Sequence, residues 1–417
     1  MITILIYDTN KEYAARLGSR LAQAGKELEI EIVTERLSPA ISDNHRNGIT
    51  SGFNKIGKRD QYDFILTDST SSDKLRQTFP MSFIWVLAET DTVVQDSSDG
   101  RIKVLYRYGP VSRLLALLRE EYALTADKHW LAQPRNDDGA RLICCFGLSG
   151  GCGASSVAIG LGREFAAYRE KRTLYLSFEW IESNPYSMQR YNEYKSGDIS
   201  RFLYTLFRKK PMNHDLLLES YLHRDRYGLE RFYPSAGLND ILLLPDNEFE
   251  FFIKTLTENA AFDLIVFDLG NQHDDRHRLI ASMSDSVILV ESGLCTNGKT
   301  DKSLALIRDT WSITGQKILL KNMAYNQNAY MEEELTESEE PTTPRFKLSL
   351  PNPLKKDGFV SKRDESAEVD EIADDWLALQ LEIPFDYDSF KQNDECDVSI
   401  SGAFGAGIKQ LADFLSD

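Results

Sequence analysis

The stretch RLICCFGLSGGCGASSVAIG, Arg141–Gly160, decides how the chain is read. RLICCFG is the apolar run of a buried strand, and SSVAIGLGREFAAYRE after it has helical spacing with small and apolar residues on one face. Between them, Ser149, Gly150, Gly151, Cys152, Gly153, Ala154, Ser155 and Ser156 form a glycine turn opening onto a helix N-terminus. Such a turn presents backbone N–H groups to an anion, and the helix dipole adds partial positive charge. Ser155 is placed to offer a hydroxyl to Mg²⁺. Ala154 stands where a phosphate-binding loop normally carries lysine. The competing reading is a tight turn with no ligand. Against it, clustered glycines cost conformational entropy and return no packing.

Working outward, RTLYLSFE is an apolar strand reaching Glu179, and FDLIVFDLG is another ending in Asp268. Four apolar residues and then an aspartate match the strand whose carboxylate orders Mg²⁺ through water. SDSVILVESG and KILLKN are further buried strands. Parallel strands deliver their C-terminal ends to one crevice, the place where open α/β sheets bind ligands. The expected fold class is therefore α/β with mainly parallel sheet.

Residues 1–123 alternate strands and helices in the same way: ITILIYD, LEIEIV, DFILTD, SFIWVLAE and IKVLYRYGP are the strands, in a flavodoxin-type domain. This half resembles a response-regulator receiver. Asp68 falls at the phosphoacceptor position and Asp8 at a metal-holding position, but Thr9 follows Asp8 where a second acid is usual, and YRYGP has no lysine after the fifth strand. The reading is a pseudo-receiver used for docking. Residues 124–140 read as a linker, and 141–417 as the second domain.

The loop Ser149–Ser155 resembles that of the ParA/MinD superfamily of deviant Walker-A ATPases, K-G-G-x-G-K-[TS]. Gly150, Gly151, Gly153 and Ser155 match, while Ser149 and Ala154 replace both lysines. The family's D-x-D becomes Ser177-Phe178-Glu179, its Walker-B acid is Asp268, and its adenine-contacting asparagine falls on Asn322. A receiver-like domain ahead of a lysine-poor loop is similar to the TadZ/CpaE family. That resemblance implies a nucleotide-binding scaffold that localises or assembles a Tad (Flp) pilus machinery. ATP and Mg²⁺ would be bound and hydrolysed weakly or not at all. It also implies a homodimer, partners among pilus or secretion ATPases and assembly proteins, and a cytoplasmic place near a cell pole or the inner face of the membrane. Two alternatives stay open: an active ATPase cycling between monomer and dimer, with Arg163 or Lys299 as replacement cations, and a regulator phosphorylated at Asp68.

The whole chain sets outer limits. A net charge of −17 and a pI near 4.9 argue against direct nucleic-acid binding, and Arg208-Lys209-Lys210 reads as a solvated helix end. Five cysteines, Cys144, Cys145, Cys152, Cys295 and Cys396, make no CxxC pair and read as reduced thiols. No apolar run reaches the ~18 residues of a membrane span, and the N-terminus has no signal-peptide pattern. His273, Asp274 and His277 read as a solvated loop or first helical turn without metal; Phe202, Tyr204 and Phe207 as core or a dimer surface. Residues 329–375, acidic and dotted with proline, read as a disordered insertion.

Overall fold

The computed structural model describes residues 1–34, 58, 59, 61–90, 101–125, 139–182, 198–209, 211, 213–235, 237–258, 262–293, 299–324, 380–384 and 398–416. The expected insertion at 329–375 and most of the expected linker lie outside them, as do Lys210, Cys295 and Cys396. The chain forms two compact units, Met1–Trp130 with Arg208–Ser220, and Leu131–Phe207 with Tyr221–Asp417.

The first unit runs β1 (Ile2–Tyr7), α1 (Lys11–Ala24), β2 (Leu28–Val33), β3 (Phe64–Thr67), α2 (Ser72–Thr78), β4 (Phe83–Ala88), β5 (Ile102–Tyr106) and α3 (Val111–Thr125). Its sheet has the order β2-β1-β3-β4-β5 with every pair parallel, the flavodoxin-type order. A strand covered on both faces has no polar side to show, which is why β1 is almost entirely Ile, Leu and Tyr. Asn10 starts α1 by accepting the Tyr13 N–H at 3.0 Å, and Gly25 ends it after Ala14, Leu17 and Leu21 have turned inward. This order sets the ends of β1 and β3 side by side, bringing Asp8 and Asp68 together.

The second unit begins with β6 (Arg141–Gly147), α4 (Ala154–Tyr168) and β7 (Thr173–Ser177). Then come α5 (Ile199–Tyr204), a π-helical turn (Thr205–Lys209), and α6 (His214–Tyr221), which counts with the first unit through Ser220. It continues with β8 (Leu222–Arg224), β9 (Glu230–Phe232), α7 (Asp240–Leu243), α8 (Asp246–Glu258), β10 (Leu264–Asp268), α9 (Asp275–Met283), β11 (Ser286–Ser292), α10 (Lys299–Thr310), β12 (Gln316–Ala324), β13 (Gln380–Pro384) and α11 (Gly402–Ser416). The sheet order is β13-β12-β11-β6-β10-β7-β9-β8, parallel throughout except for β8 against β9. β6 and β10 lie centrally, so the glycine loop and Asp268 leave the sheet next to each other. Beneath the loop, Val157, Leu161 and Phe165 of α4 join Val266 and Ile288 of the sheet and Phe404, Ile408 and Leu411 of α11 in one buried cluster.

Candidate functional site

The loop between β6 and α4 is a built turn. Gly151 and Gly153 have φ of +74° and +83°, the left-handed region that side-chain-bearing residues rarely enter. A Cβ on Gly151 would meet nothing within 4 Å, so the backbone at that point faces open space. The loop is pinned from below and from the sides. Gly147 N–H donates to Gly270 O at 2.6 Å, Leu148 N–H to Val290 O at 2.9 Å, and the Ser303 hydroxyl to Leu148 O at 3.2 Å. Asn322 completes the brace, its Nδ2 donating to Cys152 O at 2.9 Å from a side chain only 1% exposed. The residue expected to meet an adenine is thus used by the fold to hold the loop.

Ser155, in the first turn of α4, lies close enough to Asp268 at the end of β10 to help pull its carboxyl down, so the two residues expected to serve Mg²⁺, Asp268 through water, are neighbours. Asp268 is fully buried; its Oδ2 accepts from the Tyr175 hydroxyl at 2.7 Å and its Oδ1 from Gly270 N–H at 3.1 Å. Burial, helped by the charge of Glu179, pushes its carboxyl up to about 6 although these bonds pull the other way. Glu182 lies in the same electrostatic neighbourhood. Burial raises it to about 7, Arg231 opposes that, and Asp268 and Glu179 add to it. The sequence reading named Glu179 and Asp268 but missed Tyr175, Glu182 and Arg231. Tyr175 was legible in principle as a hydroxyl-bearing side chain flanked by leucines in the run TLYL. Glu182 and Arg231 had no signal, because β7 and β9 pair across more than fifty residues of chain.

Such a cluster of carboxylates needs a cation, and the loop supplies none. Arg163 is committed elsewhere: its Nε donates to Asp225 at 2.8 Å, its Nη1 to Val398 O, and its guanidinium stacks on Tyr227 at 4.8 Å. The Lys299 side chain lies outside the described residues. Donors and open backbone beside a buried carboxylate together fit a phosphate group carried with a divalent cation. Ser149, Gly150, Gly151 and Gly153 would face the phosphates, and Ser155 and Asp268 the metal. Cys152 is 2% exposed beneath the loop; burial raises its thiol, against the pull of the N–H groups of Ala154, Ser149 and its own.

The first unit holds a second acidic pocket. Asp68 Oδ1 accepts from Thr70 N–H at 2.9 Å and its hydroxyl at 2.6 Å, and Oδ2 from Thr9 N–H at 3.3 Å and its hydroxyl at 3.2 Å. Burial pushes this carboxyl up, but the bonds from Thr70 and Thr9 outweigh it and hold it below its usual range. Beside it, buried Asp8 accepts from Arg107 at 2.8 Å. A cation does therefore follow the fifth strand: the reading of YRYGP looked for lysine and passed over the arginine in it.

One further expectation changes. His277 is not solvated: it is fully buried in the first turn of α9, with Nδ1 2.6 Å from Asp274 and Nε2 3.1 Å from Phe178 O. The aromatic set divides, Phe202 being core against Phe232 at 4.9 Å and Tyr204 59% exposed. Among the described residues no helix is long and apolar enough to cross a membrane, and no group of three or more His, Cys, Asp or Glu could hold a metal by itself.

No protein-family model matches the chain, and no curated protein matches it. Among solved structures it is similar to a ParA family ATPase from Chlorobium tepidum TLS, at 14% identity over 65% of this chain and 98% of that one, with a TM-score of 0.43. The MinC:MinD cell division complex of Aquifex aeolicus gives 14% identity over 67% and 96%, with a TM-score of 0.44. A plasmid partition protein from Borrelia burgdorferi B31 bound to AMPPNP gives 14% over 66% and 98%, with a TM-score of 0.41. No residue role follows from likenesses this distant.

Proposed function

We propose that the chain is a nucleotide-binding scaffold of the TadZ/CpaE kind, which localises or assembles a Tad (Flp) pilus machinery and hydrolyses ATP weakly or not at all. The observation that carries this reading is the junction of β6, α4 and β10. There a loop with two left-handed glycines opens at a helix N-terminus, and Ser155 meets Asp268 at its base. Backbone donors of this kind are worth about 1.5–3 kcal/mol each toward a charged group, enough to bind. Charge developing in a transition state calls for more, and losing one positioned donor there costs about 100-fold or more. With Ser149 and Ala154 in the lysine positions and Arg163 turned away, the loop holds phosphate without the cations that speed its transfer. Ser155 and Asp268 would hold Mg²⁺, which supplies charge neutralisation at the phosphates.

The scaffold role, the homodimer and partners among pilus or secretion ATPases and assembly proteins rest on the order of the two halves and the lysine-poor loop. Phosphorylation of Asp68 is disfavoured by its four hydrogen bonds and by Arg107 on Asp8. Titration calorimetry with ATP and Mg²⁺, run beside a phosphate-release assay, tests the reading. Binding without release is expected, with Ser155→Ala weakening the Mg²⁺ dependence. Absence of binding at millimolar nucleotide, or rapid release, overturns it.

A further inference from the structure

Where α1 of the first unit faces the turn between β5 and α3, a groove of about 360 Å³ opens. Tyr13, Arg16 and Arg20 form one wall and Arg107 and Tyr108 the other, and the hollow continues past Arg113. Three solvent-exposed arginines, Arg16, Arg20 and Arg113, stand here against one glutamate, Glu12. Glu12 engages Arg16 in a pair whose side chains are both 75% exposed, an interaction of little energy. Arg20 and Arg113 have no ion-pair partner among the described residues. In a chain of net charge −17 this is a local reversal of sign.

The groove also offers apolar area that nothing covers among the described residues. Tyr108 is 61% exposed and Tyr106 40%, and they meet edge to face with ring centres 5.8 Å apart. Tyrosine and arginine together are the side chains that most often anchor a bound chain. The wall is rigid before anything binds. The Tyr13 hydroxyl donates to Arg107 O at 2.7 Å, its ring lies under the Arg107 guanidinium at 4.0 Å, and that guanidinium is fixed by buried Asp8. Side chains already ordered lose little entropy on binding.

We propose that this groove binds an acidic peptide segment of a partner protein, its carboxylates on Arg20 and Arg113 and an apolar side chain against Tyr108. Charge complementarity selects the occupant. An acidic segment is drawn to the groove and repelled by the rest of the surface, so it is steered to one place. A nucleic acid would need a longer cationic track than three arginines give, on a chain otherwise hostile to polyanions.

The test is fluorescence anisotropy on the full chain, with short labelled peptides in which Asp and Glu surround one Leu or Phe, beside copies with Asn and Gln in their place. The acidic set is expected to bind about tenfold or more tightly than the amide set, and to weaken as salt rises. Arg20→Glu and Arg113→Glu, both on exposed positions, should abolish that preference, and Tyr108→Ala should weaken binding while leaving salt dependence intact. ATP binding by the second unit should be unchanged in all three variants. Equal binding of both peptide sets, no binding of either, acidic binding that survives both charge reversals, or tighter binding of an oligonucleotide or an anionic vesicle at the same residues overturns the proposal.

Discussion

Asp268 and Glu182 are acids whose folded values, about 6 and about 7, lie above their ordinary range of about 4. Between those limits the folded chain keeps protons that the unfolded chain has released, so stability falls as pH rises from about 4 to about 7. In metal-free buffer, melting should therefore be lower at pH 8 than at pH 5.5. Asp268→Asn, which can keep the Gly270 bond, should raise the pH 8 melting temperature by a few degrees and flatten the dependence, while abolishing the Mg²⁺ requirement for nucleotide. Scanning calorimetry across pH checks both. Asn322→Leu should cost about 1–3 kcal/mol in urea melts, by leaving the Cys152 carbonyl buried without its donor. Loop residues and Asp268 were legible because motif spacing follows the chain. Asn322 was legible as an important position, but its bond to the loop was not, since the direction of a side chain at a strand end depends on what the neighbouring strand leaves open.

Helix α4 begins where the chain has turned left-handed twice, and that geometry can be tested on the element as a whole. Gly153→Ala should destabilise by about 1–2 kcal/mol from backbone strain and weaken nucleotide binding with it. Gly151→Ala meets no neighbour, so its cost should be confined to the backbone. In the first unit the element-level tie is Arg107 at the end of β5 on Asp8 at the end of β1, with side chains 7% and 1% exposed. Arg107→Met should lose about 3–5 kcal/mol by stranding a buried carboxylate, and Asp8→Leu added to it should recover much of that. Chemical denaturation of the single and double variants measures this. The strands and their parallel pairing were legible because doubly covered strands are written as unbroken apolar runs. The β8–β9 hairpin was not: strands of three residues, LHR and ERF, are too short to show a period.

Over the whole molecule, the two halves differ in their cations: one has an acidic pocket closed by its own arginine, the other a glycine loop without lysine. If missing cations are what limits turnover, Ser149→Lys with Ala154→Lys should raise phosphate release on the order of 100-fold, read in the same assay as the parent chain. The two-part plan was visible in the change from strand-and-helix alternation to polar, turn-rich sequence and back. Assignment of residues 208–220 to the first unit was not visible, because helix α6 carries no local mark of what it will pack against. The second unit has its own long-range debt. Its core lies between α4 and α11, with Gly160 against Phe404 and Ile408, and Gly407 against Ile383. On the ribosome, the glycine loop and the strands around it are synthesised long before the helix that covers them. Through most of translation the apolar face of α4 is then uncovered, and it stays so even after Asn322, the last of the residues that pin the loop, has been made.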